Sequence, residues 1–387
     1  MKDIIIISNY FPPEIGAASN RIFQLSKDLS KQHKVTVICP FPNYPTGKIF
    51  DGYRYKFSVT ETIGSVDVKR LWVFPSVSKN KFVRLFSMLS FSFSIVWFFM
   101  WHKIPKTVIV NSPPLLVAFT SLLFLNSKKH KLILNVSDLW PSAGIDLGAI
   151  KKGLAFKMLL KIEAYNYKKS HLLLGQSEEI ITHIKTIMPN AKTLLYRNFP
   201  SFQAPLIKNT TPSESKKIRV VYAGLLGVAQ GVLKLCKEID FNPIELHIYG
   251  TGAEEDEINN FISKNPHLPI KFHGSLKREA LHQVLIDFDV TIIPLLHRIY
   301  GSVPSKIFEY ARLGLPIIYF GGGEGEAIIK CNHLGWTAEA GNYNALNELL
   351  NELKKEDFNV EFKRKIQSVS LKEFDPMLQL KNLSELI

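Results

Sequence analysis

The sequence predicts an α/β protein made of two Rossmann-like, doubly wound domains that face a central cleft. Three observations lead to this fold class. The chain has 387 residues, which is long for one domain and sufficient for two separate cores. Short apolar runs alternate with helical patterns in both halves, an alternation that is typical of parallel sheets. A segment at 201–217, rich in Pro, Ser, Thr and Lys, separates the halves and predicts a linker.

The predicted first domain covers residues 1–200. A β-branched run at 4–8 predicts its first strand, and a Pro-rich turn and a helical pattern follow it. Further apolar runs predict strands at 35–39, 108–110 and 132–136.

The predicted second domain covers residues 218–370 and repeats the architecture without repeating the sequence. Its predicted strands lie at 218–223, 245–249, 270–273, 290–294 and 317–320. The amphipathic tail at 371–387 predicts a closing helix that packs back on the first domain.

Composition limits the classes of partner. The net charge of +14 attracts phosphate-rich molecules, which include nucleic acid, anionic lipid and nucleotide diphosphates. Basic residues are not clustered with interleaved aromatic residues, so a nucleic-acid partner is not expected. The three cysteines are isolated, which argues against a zinc site or disulfides and is typical of a reducing cytoplasm. The first residues lack the pattern of a signal peptide.

Residues 85–101 form a nearly charge-free stretch of marginal length for a membrane span. Serines recur on one helical face and large apolar residues on the other. Bases and tryptophans flank the stretch, namely Lys79, Lys81, Arg84, Trp97, Trp101 and Lys103. This pattern predicts that residues 79–103 contact a membrane surface, and a buried helix that covers the sheet is the alternative.

Small residues follow the first predicted strand, where the loop Phe11 to Ser19 leads into a helix. Gly16 and Ala17 allow backbone N–H groups at the helix start to approach an anion. A tight turn without a ligand is the alternative. Glu14 and Ser19 of the same loop are predicted to contact the acceptor substrate.

Asp138 follows the predicted strand at 132–136. Ligands of open α/β sheets bind at the carboxyl ends of strands, so Asp138 is predicted to accept a hydrogen bond from an acceptor hydroxyl or to act as a base. Trp140 is expected on the same acceptor side. An Asx turn or a helix cap is the alternative for Asp138.

Glycines follow the first strand of the second domain, at Gly224 and Gly227. Glycine at a strand-to-helix turn permits close approach of the backbone to a pyrophosphate. A second glycine run at 321–325 also ends an apolar strand, and Gly323 and Glu324 are candidate donor contacts. A flexible surface loop is the alternative for that run.

The strongest pattern is the segment 301–310. Ser305 stands at a predicted helix start, and Lys306 and Glu309 share one face of that helix. A lysine can neutralise a diphosphate leaving group, and a carboxylate can hold ribose hydroxyls. A solvated ion pair between Lys306 and Glu309 is the alternative.

Together these segments resemble family 4 of the retaining GT-B glycosyltransferases, in particular bacterial enzymes of O-antigen and capsule synthesis similar to N-acetyl-fucosamine transferases. The matching segments are NYFPPEIGAAS, SDLWPS, VVYAGLLGVAQG and VPSKIFEYARLGLPI. The resemblance implies that Glu309 binds the ribose and that the glycine loops approach the diphosphate. Gly301 stands where many relatives have a second glutamate, and Val228 replaces a common basic residue, so Lys306 and Arg298 are expected to supply that charge.

The resemblance implies transfer of a sugar from a nucleotide diphosphate, with uridine as the base, to a polyprenyl-diphosphate-linked saccharide. The anomeric configuration is retained, and neither a metal nor another cofactor is expected. The implied location is the inner face of the plasma membrane. A sugar-nucleotide epimerase is the nearest alternative, and a nucleic-acid-binding protein is the more distant one. A Rossmann dehydrogenase is disfavoured because no GxGxxG follows the first strand.

Overall fold

The computed structural model describes residues 1–44, 46–76, 78, 80–146, 148, 150–207 and 217–387. Lys79 of the predicted membrane-contact segment and residues 208–216 of the predicted linker lie outside the described residues. The chain divides into two compact units. Unit 1 comprises Met1–Arg197 together with Met377–Ile387, and unit 2 comprises Asn198–Pro376.

Unit 1 contains one eight-stranded sheet. Its strands are β1 (Asp3–Ile7), β2 (Lys34–Pro40), β3 (Ser58–Ile63), β4 (Val66–Leu71), β5 (Thr107–Ser112), β6 (Lys131–Val136), β7 (Leu172–Gly175) and β8 (Thr193–Leu195). The strand order is β3-β4-β2-β1-β5-β6-β7-β8, and every pair is parallel except β3 with β4. The helices are α1 (Ala17–Leu29), α2 (Lys81–Trp101), α3 (Leu115–Phe124), α4 (Ser142–Asp146), α5 (Leu154–Lys169) and α6 (Glu178–Ile187).

Both faces of the unit 1 sheet are apolar because helices cover both sides. Along β1, Ile5 and Ile7 belong to one buried cluster, whereas Ile4 and Ile6 belong to another. This alternation follows from the period of two in a strand. The continuous Ile4–Ile7 run is therefore the sequence signal of a strand that is buried on both faces.

Unit 2 contains a second, fully parallel sheet. Its strands are β9 (Ile218–Ala223), β10 (Ile244–Tyr249), β11 (Ile270–Phe272), β12 (Val290–Pro294), β13 (Ile317–Gly321) and β14 (Gly335–Glu339). The strand order is β11-β10-β9-β12-β13-β14. The helices are α7 (Val232–Glu238), α8 (Glu255–Lys264), α9 (Arg278–Leu285), α10 (Lys306–Leu313), α11 (Glu324–Cys331), α12 (Tyr343–Glu352) and α13 (Val360–Glu373), with a short 3₁₀ helix at Lys355–Phe358.

The last helix, α14 (Pro376–Glu385), carries the chain's final apolar side chains. Leu380, Leu383 and Ile387 are buried in the same cluster as Ile4 of β1. Two helices, α13 and α14, occupy the tail region, where the sequence predicts one closing helix from residue 371.

Among the parallel strands, the strand order reverses between β1 and β5 in unit 1 and between β9 and β12 in unit 2. Ligands of doubly wound sheets bind at the carboxyl ends of strands beside such reversals. The loops after β1 and β9 are therefore the places where each unit is expected to bind a ligand. The predicted fold class of two Rossmann-like sheets is confirmed.

Candidate functional site

The turn after β9 brings the backbone of Gly224 against a lysine. Gly224 has φ +154°, which an L side chain rarely adopts, and an added Cβ would lie 1.7 Å from Nζ of Lys306. A Cβ on Gly250, after β10, would lie 1.8 Å from the carbonyl oxygen of Gly224. The contact at Gly250 is with backbone, so packing requires glycine there. At Gly224 the positive φ disfavours a side chain, and a Cβ would displace the tip of Lys306.

Lys306 is the first residue of α10. Its Nζ lies 4.7 Å from the centre of the Tyr222 ring. Among the described residues, no carboxylate or carbonyl oxygen forms an ion pair or hydrogen bond with this ammonium group. Burial lowers the pKa of Lys306 to about 8, and the charge of Glu309 opposes that shift. A cation held in a desolvated position without a counter-ion is suited to an anionic ligand.

Glu309, one turn further along α10, pairs with helix α9 and not with Lys306. Its Oε1 accepts hydrogen bonds from Nε2 of His282 at 2.7 Å and from Nε of Arg278 at 3.0 Å. Burial raises the pKa of Glu309, but the His282 hydrogen bond and the Arg278 charge outweigh burial and lower the pKa overall. Oε2 has no hydrogen-bond partner in the described part of the chain, so one carboxylate oxygen is left for a hydroxyl.

The alternative of an ion pair between Lys306 and Glu309 is wrong within the described residues, since Glu309 pairs with Arg278 and His282. No sequence pattern indicated Arg278 and His282 as site residues. Their spacing of four residues places them on one helix face, but only the tertiary structure shows which carboxylate that face meets.

Ser305 is the N-cap of α10, and its side chain makes no capping hydrogen bond. Gly227 packs closely within its own turn, because an added Cβ would lie 2.7 Å from Oε1 of Gln230. Arg298 is exposed, and its Cδ would lie 3.8 Å from a Cβ on Gly322. The structure thus places Arg298 beside the glycine run that follows β13.

The glycines of that run have different structural roles. Added Cβ atoms on Gly321 and Gly325 would lie 2.4 Å and 2.6 Å from the Tyr319 ring, so these two glycines accommodate a buried aromatic side chain. Gly323 adopts φ +68° at the N-cap of α11, and the half-buried Glu324 begins that helix. The interpretation of the run as a flexible surface loop is wrong, because Gly323 to Gly325 begin helix α11 and Gly325 is buried.

The loop after β1 corrects part of the sequence analysis. Gly16 is extended, with φ 172°, and an added Cβ would only reach ordinary contact with Tyr44 at 3.9 Å. Protein packing therefore does not require glycine at this position. Ala17 is exposed at the start of the 13-residue helix α1.

Glu14 and Ser19, which are predicted to contact the acceptor, are both buried. Oε1 of Glu14 accepts from the backbone N–H groups of Asn43 at 2.8 Å and Tyr44 at 2.9 Å. Its Oε2 accepts from the N–H of Phe11 at 3.4 Å. Burial raises the pKa of Glu14, and these N–H groups oppose the shift. Glu14 thus joins two loops, and Ser19 is 1% exposed on the inner face of α1.

Asp138 lies just beyond the carboxyl end of β6 and has no side-chain hydrogen bond or ion pair among the described residues. Burial raises its pKa, and the charge of Arg21 opposes that shift. Arg21 donates from Nη1 to Oε1 of Gln176, and Gln176 donates from Nε2 to the carbonyl of Ser137. A hydrogen-bonded chain therefore connects Arg21 to the residue before Asp138.

The sequence analysis did not identify Arg21 as a site residue. It precedes the buried Leu25 by four residues, so it stands on the inner face of α1, which is an unusual position for an arginine. Trp140 is half-buried beside Asp138, and a Cβ on Gly144 would lie 2.9 Å from its ring.

Helix α2 buries Phe91, Ile95 and Phe98 in the core of unit 1 together with its inward serines, and it leaves a second apolar face exposed. Ser90 is fully buried and accepts from the N–H of Phe74, and Ser94 donates to the carbonyl of Trp72. The exposed large side chains of this helix are Phe82, Leu85, Phe86, Met88, Phe93, Trp97, Met100 and Trp101. None of the helices in the described part of the chain is long and apolar enough to cross a membrane.

Residues 218–356 match the sequence model of a family described as glycosyl transferases group 1. The matched segment contains the turn after β9, Lys306 and Glu309. It is a glycosyltransferase domain. The chain is therefore a glycosyltransferase. The match covers 139 of the 387 residues and does not include unit 1. No curated protein sequence matches the chain.

Solved glycosyltransferases share the fold over the whole chain. Sucrose-phosphate synthase from Thermosynechococcus elongatus aligns with a TM-score of 0.75 at 13% identity, covering 100% of this chain and 98% of that one. HepE from Anabaena, solved with UDP and glucose, aligns with a TM-score of 0.70 at 13% identity, covering 100% and 99%. The catalytic domain of starch synthase IV from Arabidopsis thaliana, bound to ADP and acarbose, gives 0.65 at 12% identity, covering 100% and 98%. At these low identities the likeness shows only that this chain has the GT-B fold.

Proposed function

We propose that this glycosyltransferase belongs to family 4 and transfers a sugar from a UDP-sugar to a lipid-linked saccharide, with retention at the anomeric carbon. The observation that carries the proposal is the ammonium group of Lys306, which lies against the Gly224 turn without a counter-ion from the described residues. The similar fold of HepE, which was solved with UDP-glucose, supports uridine as the base.

The reaction breaks the bond between the anomeric carbon and the diphosphate oxygen and forms a bond from the acceptor hydroxyl to the same carbon. Negative charge develops on the leaving diphosphate, so fixed positive charge at that point stabilises the transition state. Lys306 supplies this charge, Arg298 adds to it, and the glycine turns let the backbone approach the diphosphate. The free Oε2 of Glu309 accepts a hydrogen bond from the ribose.

Unit 1 binds the acceptor in this proposal. Asp138 accepts a hydrogen bond from the acceptor hydroxyl and orients it, and the hydroxyl proton leaves with the diphosphate. Neither a metal ion nor another cofactor takes part. The exposed apolar face of α2 lies on the inner surface of the plasma membrane, where the polyprenyl-diphosphate acceptor is embedded. The product belongs to bacterial O-antigen or capsule synthesis.

A thermal-shift screen of wild type and Glu309→Ala against UDP, GDP, NAD and single-stranded DNA tests the donor assignment, because a ligand that binds the native state raises the melting temperature. A rise with UDP that the variant loses supports the proposal. Transfer of radiolabelled sugar to a membrane extract, with EDTA present, should proceed at the same rate as without it. No response to UDP, or one that Glu309→Ala retains, would refute the donor assignment.

A further inference from the structure

We propose that a groove in unit 1 between the loop after β2 and the segment after β4 binds the diphosphate of the lipid-linked acceptor. The inference rests on the proposed function, which supplies the acceptor class. The groove has a volume of 620 Å³ and is lined by Gly47, Lys48, Ile49, Arg54, Tyr55, Lys56, Phe57, Trp72 and Pro75.

The charge of the groove favours an anion. Three of its lining residues are cationic, and the nearby carboxylate, Asp51, forms an ion pair with Arg54 at 3.1 Å. Nζ of Lys56 donates to the carbonyl of Gly52 at 2.7 Å, and the ammonium of Lys48 has no partner among the described residues. A diphosphate carries several acceptor oxygens, which lysine and arginine bind with charge-assisted hydrogen bonds.

The aromatic residues of the groove are held exposed by the loop. Tyr55 is 102% exposed and adopts φ +61°, a conformation that a bulky residue rarely takes, and Phe57 is 86% exposed. Strain at an exposed position, with two large rings in solvent, indicates a binding function for the loop. Such rings pack against the apolar face of a sugar or against the first isoprene units of a lipid.

The groove adjoins the exposed apolar face of α2. Phe74, between Trp72 and Pro75, packs edge-to-face on Phe86 of α2, with ring centres 5.3 Å apart. Ser94 of the same helix bonds to the carbonyl of Trp72 at 2.7 Å. A lipid chain in the membrane beside α2 thus has its polar head beside the cationic loop, and this continuity favours a prenyl diphosphate over a soluble anion.

The groove also lies at the carboxyl ends of the parallel strands of the sheet that carries Asp138. The parallel strands β4 and β6 end at the same edge, and four strand spacings of about 4.8 Å separate them, about 19 Å in total. A saccharide attached to a diphosphate in the groove can extend along this edge toward Asp138. The acceptor's diphosphate and its reacting hydroxyl would therefore be bound at two separate places in unit 1.

Calorimetric titration with farnesyl diphosphate, farnesol and inorganic pyrophosphate tests the groove. Wild type should bind farnesyl diphosphate more tightly than either fragment. Lys48→Gln combined with Lys56→Gln should weaken its affinity by about tenfold or more. Lys48→Gln alone, which breaks no contact of the described residues, should weaken it in the same direction. The control Lys128→Gln with Lys129→Gln removes equal charge from exposed positions near the end of α3 and should change nothing.

Equal affinity for farnesyl diphosphate in wild type and in both groove variants would overturn the inference. A loss of binding only to vesicles that contain phosphatidylglycerol, with farnesyl diphosphate unaffected, would also overturn it and assign the loop to phospholipid. The thermal shift with UDP should persist in the groove variants. Failure of wild type to respond to UDP would refute the donor assignment instead, so the two failures can be told apart.

Discussion

Nζ of Lys306 occupies the space that a side chain on Gly224 would need, since a Cβ there would lie 1.7 Å from it. The lysine and the glycine turn are therefore coupled, and neither can change without affecting the other. The lysine is thus held beside the turn at the carboxyl end of β9, where a doubly wound sheet binds its ligand.

Gly224→Ala should abolish the rise in melting temperature with UDP, because the new methyl group displaces the Lys306 ammonium. Part of any loss of stability comes from the positive φ itself. Gly274→Ala is the matched control, since Gly274 has φ +69° and no atom within 4 Å of an added Cβ. The control should lose stability and keep its response to UDP. A retained response in Gly224→Ala would contradict the coupling.

Lys306→Met should weaken UDP binding by roughly 10- to 100-fold, the effect of losing one charged hydrogen bond. The unliganded variant should melt higher than wild type near pH 7. Because the pKa of Lys306 is lower in the folded state than in the unfolded state, the protonated lysine destabilises the fold. This cost is full below about pH 8 and disappears as pH rises to the unfolded pKa of about 10.4. The difference in melting temperature should therefore shrink as pH rises from 8 to 10. A lower melting temperature for the variant at every pH would show that the lysine stabilises the fold.

Arg21→Gln should raise the pKa of Asp138, because Arg21 is the charged group of the described residues that opposes the effect of burial on Asp138. Arg197 donates from Nη1 to the backbone carbonyl of the same Gln176 at 3.3 Å. The acidic limb of kcat/KM for transfer should move to higher pH, since this limb reports groups of the free enzyme. A ¹³C titration of the carboxyl groups, with Asp138→Asn for assignment, gives the same pKa without turnover. Lys27→Gln, on the same helix, should leave both profiles in place, and an unmoved limb in Arg21→Gln would show that Arg21 does not act on Asp138.

Changing Phe86, Phe93 and Trp97 together to Ser should reduce co-sedimentation with anionic vesicles. All three side chains are exposed, so the fold should tolerate the change, which circular dichroism can verify. Increasing the salt concentration should weaken what binding is left, because screening acts on the basic residues and not on the apolar face. Equal sedimentation of wild type and variant would exclude α2 as the membrane contact.

The sequence predicted the architecture well where a pattern is local. The run Ile4–Ile7 and the alternation of β9 to β13 with helices identify two parallel sheets, because buried strands are continuously apolar. The strands β3, β4, β7, β8 and β14 were missed. β3 lies at the edge of its sheet and has no fully buried residue, and β7 and β8 have only four and three residues, so none of these three gives a long apolar run.

The donor site was partly predictable for the same reason. Lys306 and Glu309 share a helix face by spacing alone, but Arg278 and His282 reach Glu309 from another helix. The burial of Glu14 was not evident from the sequence because its partners, Asn43 and Tyr44, are far along the chain. The orientation of α2 was also not evident, since serines that bond to Trp72 and Phe74 look like a solvent face in a helical pattern.

Unit 1 includes both the first and the last residues of the sequence, with unit 2 inserted between them. During synthesis on the ribosome, unit 2 therefore emerges before Leu380, Leu383 and Ile387 can join the cluster around Ile4. Unit 1 therefore closes its core only after unit 2 has been synthesised, although most of unit 1 is made first. A stop codon within 377–387 should thus impair unit 1 more than unit 2.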